Sequence, residues 1–374
     1  MERMLASTRG WPASGFEYGL PATLAGSSTA EPRSLSASFR EVDHSPAFWR
    51  AVAAISGSAI SGEWLEFVRE TQNATPVAAE LRHGSDCLGF FTGLIVKKCG
   101  LRILGSPFPG WMTPYMGITL NPGVSRSLAL IALERFAFED LGCAHVEIVD
   151  RALSPQDVQG TGYTYTIVQS YETDLTAPED RLFATMKSAC RRCIRKAKRS
   201  GVVIEEAQHQ DADFVGEYYA QLTEGLLAKR IVPSYNEVLV RKLVEHLGPS
   251  GRLLLLRARD SQGRCIASGI YPATNTTAHI WGNVASYPRS RHVRPVESLN
   301  WYAMRYWKAH GLESFDWGGL GRYKEKYGGT LITLLRVRKS RSKTISLLRQ
   351  VAETTLRRSL RLQGCVAAWR KPIS

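Results

Sequence analysis

The sequence predicts an α/β protein with a mixed sheet, built from two halves of like construction, and three observations carry this. Helical spacing at 62–73 leads into alternating strands at 76–82 and 88–98, a Gly/Pro-rich passage "GSPFPGWMTPYMG", a long helix at 125–141 and a strand at 145–150. A second stretch repeats that order with extra parts: helix 177–200, strand 202–206, helices 214–229 and 235–247, and strands 253–259, 265–272 and 278–284. Helix 297–310 and strands 314–317 and 331–338 complete it. Local echoes support a duplication: "RHGSDCLGFFTGLI" stands beside "RDSQGRCIASGI", and two helices open with Ser-Leu at Ser127 and Ser298 and close on Gly142 and Gly311.

The organisation read from these elements is a leader at 1–35, two domains at 36–175 and 176–340, and a basic tail at 341–374. The leader is rich in Ser, Ala, Gly and Pro without sustained period, so it is expected to be disordered. In the tail, Ile345, Leu348, Ala352, Leu356 and Leu360 recur at helical spacing, with Arg349, Arg357 and Arg361 one residue behind. Such a helix either docks on an anionic membrane surface or packs back on the second domain.

The chain of 374 residues carries 48 Lys and Arg against 34 Asp and Glu, a net +14. That surface field favours phosphate-bearing partners and leaves open which of them binds. Eleven Lys or Arg against one acid, Glu353, lie between Arg336 and Ser374, so much of the charge is in the tail. Seven cysteines are scattered without framework spacing, and no signal-peptide layout opens the chain, which points to a reducing cytosol. No run approaches the roughly 18 apolar residues of a membrane span, so membrane contact is expected to be peripheral.

The most unusual local stretch is "TMKSACRRCIRKAKRSGVV", where Cys190-x-x-Cys193 sits inside a basic run. Thr176-x-x-Glu179 reads as a capping box and Gly201 as a left-handed stop. Leu182, Phe183, Met186, Ala189, Cys190, Cys193, Ile194 and Ala197 form the apolar stripe, so both cysteines are expected to be structural. No second Cys/His pair and no preceding thioredoxin-like strand supports a metal or redox site. The charged faces are either solvated or contact phosphate or tRNA.

Two segments carry a family resemblance. "MKSACRRCIRKAKRSGV" resembles the opening of the second domain of the FemAB-like acyltransferases of the GNAT superfamily. "GLESFDWGGLGRYKEKYGG" resembles their terminal pattern: a strand ending in Asp, glycines, then aromatic-Lys-x-x-aromatic-Gly. The resemblance covers roughly 40–340 and implies tandem GNAT-like domains that move an acyl group onto an amine. The donor it implies is acyl-CoA, a co-substrate with no bound cofactor and no metal, and the setting is cell-envelope or polysaccharide biosynthesis. Aminoacyl-tRNA acting on a peptidoglycan precursor is the alternative, although the helical arm of several tRNA-using members is not evident at 177–247. A non-catalytic module docking on membrane or nucleic acid is a third reading. The acceptor is expected to be a small-molecule or lipid-linked amine, and the protein to be cytoplasmic, at the inner membrane face if the tail docks there.

The site residues follow from these motifs. An amine attacking a thioester needs positioning and oxyanion stabilisation rather than an enzyme nucleophile, and the chain has no nucleophile elbow, His-Glu-x-x-His or P-loop. By the resemblance, Lys324 would place an ammonium near the oxyanion, or else be a surface lysine. Asp316 would orient the amine or cap its turn. GNAT enzymes hold the CoA pyrophosphate with a Gly-rich loop opening a helix; here the matching "RSRHVRPVESLN" keeps Pro295 but lacks the glycines. Arg289, Arg291 and Arg294 could substitute guanidinium contacts, or belong to a solvated loop. Strand alternation places His279, Trp281 and Asn283 of "HIWGNV" on one face, as a substrate wall or as ordinary packing. Trp281, Asn283 and Tyr327 are taken as acceptor-binding candidates.

Overall fold

The computed structural model describes residues 37–55, 60–108, 110–113, 115–227, 231, 233–321 and 323–351. The expected leader and most of the tail lie outside the described residues. In chain order the first elements are β1 (Ser38–Glu41), α1 (Pro46–Ala54), α2 (Gly62–Gln72), β2 (Thr75–His83), β3 (Asp86–Lys98), β4 (Leu101–Ser106) and β5 (Ile118–Leu120). There follow α3 (Arg126–Arg135), continued by a π-helical turn at Phe136–Asp140, then β6 (His145–Asp150), α4 (Pro155–Val158) and β7 (Thr164–Asp174). The second half holds α5 (Glu179–Thr185), α6 (Ser188–Arg199), β8 (Val203–Ala207), α7 (Ala212–Leu227), α8 (Glu237–Leu247), β9 (Leu253–Arg259) and β10 (Cys265–Pro272). It ends with β11 (Thr277–His279), β12 (Gly282–Ala285), α9 (Tyr287–Ser290), α10 (Pro295–Ala309), β13 (Ser314–Asp316) and β14 (Thr330–Ser340).

Among the described residues ten strands form one mixed sheet, in the order β1-β2-β3-β4-β6-β14-β7-β13-β11, with β5 on β3. A second, antiparallel sheet runs β12-β10-β9-β8. Only two pairs are parallel, β4 with β6 and β11 with β13. Each joins strands separated by a helix, α3 in one half and α10 in the other, because a parallel pair requires a crossover. The duplication read from the sequence therefore has a structural counterpart. The last strand, β14, lies between β6 and β7 and so ties the second half into the first half's sheet. Leu335 and Val337 face the core under α3, and Leu334 the opposite side, so this strand is buried on both faces.

The single helix expected at 177–200 is two helices. Thr176 does not cap it: its amide and hydroxyl turn back to the Asp174 carboxylate, at 2.8 and 2.7 Å, and Pro178 occupies the N-cap position. The chain is extended at Met186 and Lys187, where the Lys187 amide donates to the Lys326 carbonyl at 2.9 Å. That bond and the burial of Met186 outweigh the unbroken helical pattern. Gly201 does supply the left-handed stop, at φ +73°. Cys190 is buried and Cys193 half-buried, while Ala189, placed in the apolar stripe by spacing, is exposed. Burial raises both thiols, Cys190 to about 12.

The tail is helical at 343–351 where described. Its Arg349 pairs with Glu147, a fully buried carboxylate on β6, while Leu347 and Leu348 face solvent.

Candidate active site at the parted strands

The site arises where the parallel pair β11/β13 ends. The two strands are in register from Thr277–Ser314 to His279–Asp316, and the Ile280 amide makes one more bond to the Asp316 carbonyl at 3.0 Å. Beyond it they separate. β12 turns to pair with β10, and the Trp317 amide bonds the Tyr171 carbonyl of β7 at 2.9 Å. The result is a fork, with α10 on one face of it.

Lys324 lies at this fork, only 9% exposed, with Nζ donating to the Gly318 carbonyl at 2.5 Å. Burial lowers its pKa to about 8, and the Asp316 charge opposes that drop. Asp316 is itself buried; desolvation raises its pKa, resisted by the Ser170 hydroxyl, which donates at 2.5 Å, and the Gly318 amide at 2.7 Å. The Gly319 amide in turn donates to Ser170 Oγ at 2.8 Å. Gly318 and Gly319 both have positive φ, which lets the chain wrap the carboxylate in this way. Asp316 thus caps its own turn and also faces Lys324.

His279, Trp281 and Asn283, which alternation places on one face, do not share it. The strand breaks at Ile280–Trp281, so Trp281 rotates against Tyr218 and Tyr235 under α7, while Asn283 points to α10. His279 goes to a third place, edge-on to Tyr115 and 4.0 Å from Asp316. The alternation argument fails because two sheets claim the two halves of one predicted strand. Asn283 and Tyr327 do converge, through Asn300 of α10. Asn283 and Tyr271 both donate to Asn300 Oδ1, and Asn300 Nδ2 donates to the Tyr327 hydroxyl at 2.6 Å. Tyr327 is stacked on Trp317, with ring centroids 4.1 Å apart, so this chain of hydrogen bonds spans the fork from β12 to the end of β13. Among the described residues, Trp281 Nε1 and Asn283 Oδ1 have no hydrogen-bond partner.

Arg289, Arg291 and Arg294 are exposed at the opening of α10, and Pro295 is its first residue. No side chain caps this helix, so its first amides are open to an anion. Arg294 has φ +57°, the left-handed conformation that a glycine takes without strain. The missing glycine is replaced in conformation as well as in place. Glu297, one turn in, is neutralised by Lys326 at 2.6 Å. The exposed Arg192, Arg195, Lys196, Lys198 and Arg199 of α6, which packs on α10, extend the positive surface.

With this geometry the comparisons are decisive for the second half. Residues 184–327 match the family model for an acetyltransferase (GNAT) domain. The second half carries a GNAT-type acetyltransferase domain. The chain's fold resembles that of FemX, at 11% identity over 79% of this chain and 96% of that one, with a TM-score of 0.65. It also resembles the C-terminal domain of a putative lysylphosphatidylglycerol synthetase from Agrobacterium fabrum, at 11% identity over 82% and 94% of the chains, with a TM-score of 0.53. No curated sequence matches the chain. The expected α/β class with a large mixed sheet stands, and so does a GNAT domain in the second half. Among the described residues no helix is long and apolar enough to cross a membrane.

Sequence reasoning missed the placement of Ser170, Asn300 and His279 at this fork. Ser170 lies in β7, which was not read as a strand although 164–168 is rich in β-branched and aromatic residues. Asn300 stood in a quoted motif as a polar residue on an otherwise apolar helix face, which was a usable signal.

Proposed function

We propose that the protein is an N-acyltransferase that forms an amide on an amine acceptor, with acyl-CoA as donor, in cell-envelope or polysaccharide biosynthesis. The observation that carries this reading is the buried Lys324 ammonium at an open strand fork. The donor's phosphates meet the uncapped start of α10, with Arg289, Arg291 and Arg294 around it, and Pro295 setting the first turn. The thioester then lies in the fork. The lone pair of a neutral amine forms the C–N bond, the carbonyl pair moves onto oxygen beside Lys324 Nζ, and the C–S bond breaks to release thiolate. The proton shed by nitrogen passes by way of Asp316 to the departing sulfur, leaving amide and thiol. Asn283 Oδ1 and the Tyr327–Asn300 chain wall the reacting end of the acceptor, while Trp281, turned under α7, stands apart from them. The two units, 36–175 and 176–340, share β14.

Aminoacyl-tRNA as donor is the second reading, favoured by the exposed basic face of α6 and by the fold shared with the synthetase domain. Melting of the full chain with CoA and with deacylated tRNA separates them, since a ligand that binds only the native state raises its melting temperature. Stabilisation by CoA together with thiol release from acetyl-CoA in the presence of an amine supports the first reading; stabilisation by tRNA alone overturns it. A cytoplasmic location at the inner membrane face is part of the proposal, with Leu347, Leu348 and Val351 as exposed apolar contacts. Flotation of the full chain with anionic liposomes, lost on truncation after Arg341, tests it.

A further inference from the structure

On the sheet face opposite α10 lies a cavity of about 380 Å³, lined by Tyr115, Arg151, Glu172, Asp174, Thr176, Thr274, Thr276, Thr277, Glu313 and Ser314. Its position follows from strand register. Asp174, Ser314 and Thr277 are lateral neighbours on β7, β13 and β11, and two residues further along the same strands stand Glu172, Asp316 and His279. Side chains two residues apart share a face, about 7 Å apart, so the cavity floor leads directly to the buried Asp316–His279 row at the fork. Phe315, Trp317 and Thr173 occupy the alternate positions and belong to the α10 side. The fork is therefore reached from two opposite faces, with the helix start on one and this cavity on the other.

We propose that this cavity holds the body of the acceptor, and that the acceptor is a small polyhydroxylated primary amine of the amino-sugar class, entering as a cation that sheds one proton to solvent before its nitrogen attacks. The assignment rests on the acyltransferase reading above and adds the substrate class. Charge selects the cation. Three carboxylates, Glu172, Asp174 and Glu313, line the cavity against one guanidinium, and Arg151 is already held by a two-pronged pair with Glu172 and by the Tyr115 hydroxyl at 3.0 Å. That guanidinium is not spare for a phosphate. The amide and hydroxyl of Thr176 donate to Asp174 Oδ1 and hold its pKa below the usual value, so this lining carboxylate is charged.

The hydroxyls select the body. Thr274, Thr276, Thr277 and Ser314 contribute hydroxyls, those of Thr277 and Ser314 bonded to each other at 2.8 Å, and among the described residues no aliphatic side chain lines the cavity, so a polyol is matched better than an acyl chain. Beyond the floor, His279 is buried, and its Nδ1 has no hydrogen-bond partner among the described residues. Burial, with the Arg151 charge adding to it, drops its pKa to about 3, so the imidazole is neutral and available to an incoming nitrogen. Tyr115 and Arg151 come from the first half, which makes that half part of the acceptor site.

The test is calorimetric titration of the full chain, without donor, using glucosamine, glucose and glucosamine 6-phosphate as probes. Glucosamine is expected to bind, and glucose and the phosphate ester to bind at least about tenfold more weakly. Glu313→Gln, at an exposed position that the fold does not need, should weaken glucosamine about fivefold, and Thr276→Val should act in the same direction. Equal binding of glucose and glucosamine, or no effect of either variant, overturns the assignment. So does thiol release from acetyl-CoA with another amine while glucosamine fails to bind. Glucosamine binding that both variants weaken, without thiol release from acetyl-CoA, upholds the cavity and removes only the donor.

Discussion

The described residues contain two strand forks, and their difference supports placing the proposed chemistry at the second. In each half a parallel pair ends in a buried aspartate, Asp150 on β6 and Asp316 on β13. In the first half the chain closes the gap with its own backbone. Gly117 N donates to Ser106 Oγ at 3.1 Å, Met116 N to the Val149 carbonyl at 3.3 Å and Ile118 N to Asp150 Oδ2 at 2.9 Å, so residues 116–118 lie across both strand ends. Arg126 shares Oδ2 of Asp150 with the Ile118 amide, the Ala152 amide takes Oδ1, and a Cβ on Gly117 would meet the carboxylate at 2.8 Å. Even the helix starts differ: Ser125 caps α3 with its hydroxyl, whereas α10 opens on Arg294 with no side-chain cap. One fork is stitched shut and satisfied. The other keeps a lysine, a carboxylate and a helix start open to ligands. Under the proposed function the first fork is structural and the second is the working one, and a handful of hydrogen bonds distinguishes them.

The sharpest test exchanges losses between the forks. Lys324→Ala should lower kcat about 10²–10³-fold with little change in donor KM, because an oxyanion donor acts mainly in the transition state. Arg126→Ala should instead cost about 3 kcal/mol of stability by stranding the buried Asp150 charge, and leave kcat per folded molecule intact. Equal kinetic losses in both variants, measured on protein whose fold is checked by circular dichroism, would break the comparison.

The second test uses pH. Lys324 titrates at about 8 in the folded protein against an ordinary 10.5. Its ammonium is lost as pH rises through 8, so kcat should fall about tenfold per pH unit above that value, and Lys324→Arg should remove the limb. Stability moves the other way. Between about pH 8 and 10.5 the unfolded chain binds the extra proton, so this group's destabilisation below pH 8 is relieved as pH rises. A kcat limb that persists in the arginine variant would assign it to another group.

At the helix start, Arg294→Gly should raise donor KM several-fold and yet increase stability by up to about 1 kcal/mol, because glycine takes the left-handed backbone without strain. Steady-state kinetics and urea melts read the two effects separately, and a stable variant with unchanged KM would exclude Arg294 from donor binding. The smallest effect is expected for Cys190→Ala with Cys193→Ala: about 1 kcal/mol of stability and unchanged turnover. Stoichiometric zinc, or activity lost on mild oxidation and restored by thiols, would overturn the structural role of this pair.

The alternation of apolar residues and the helix ends determined the α/β class, because these are set by spacing along the chain, while the GNAT domain of the second half was legible as a resemblance carried by two ordered motifs. Helix α8, strands β9 and β10, and the turn at Gly201 fall where local chemistry puts them. What spacing cannot register is competition between distant segments. One predicted strand is shared by two sheets, so Trp281 and Asn283 part company. One predicted helix is broken because Lys187 pairs with Lys326, and one tail arginine is drawn to a buried carboxylate 202 residues away. The fork itself belongs to this second kind. Asp150 and Asp316 end equivalent strands in equivalent apolar surroundings, and only the tertiary path of residues 116–118 in one half, and the absence of such a path among the described residues in the other, decided which carboxylate is left to face a lysine.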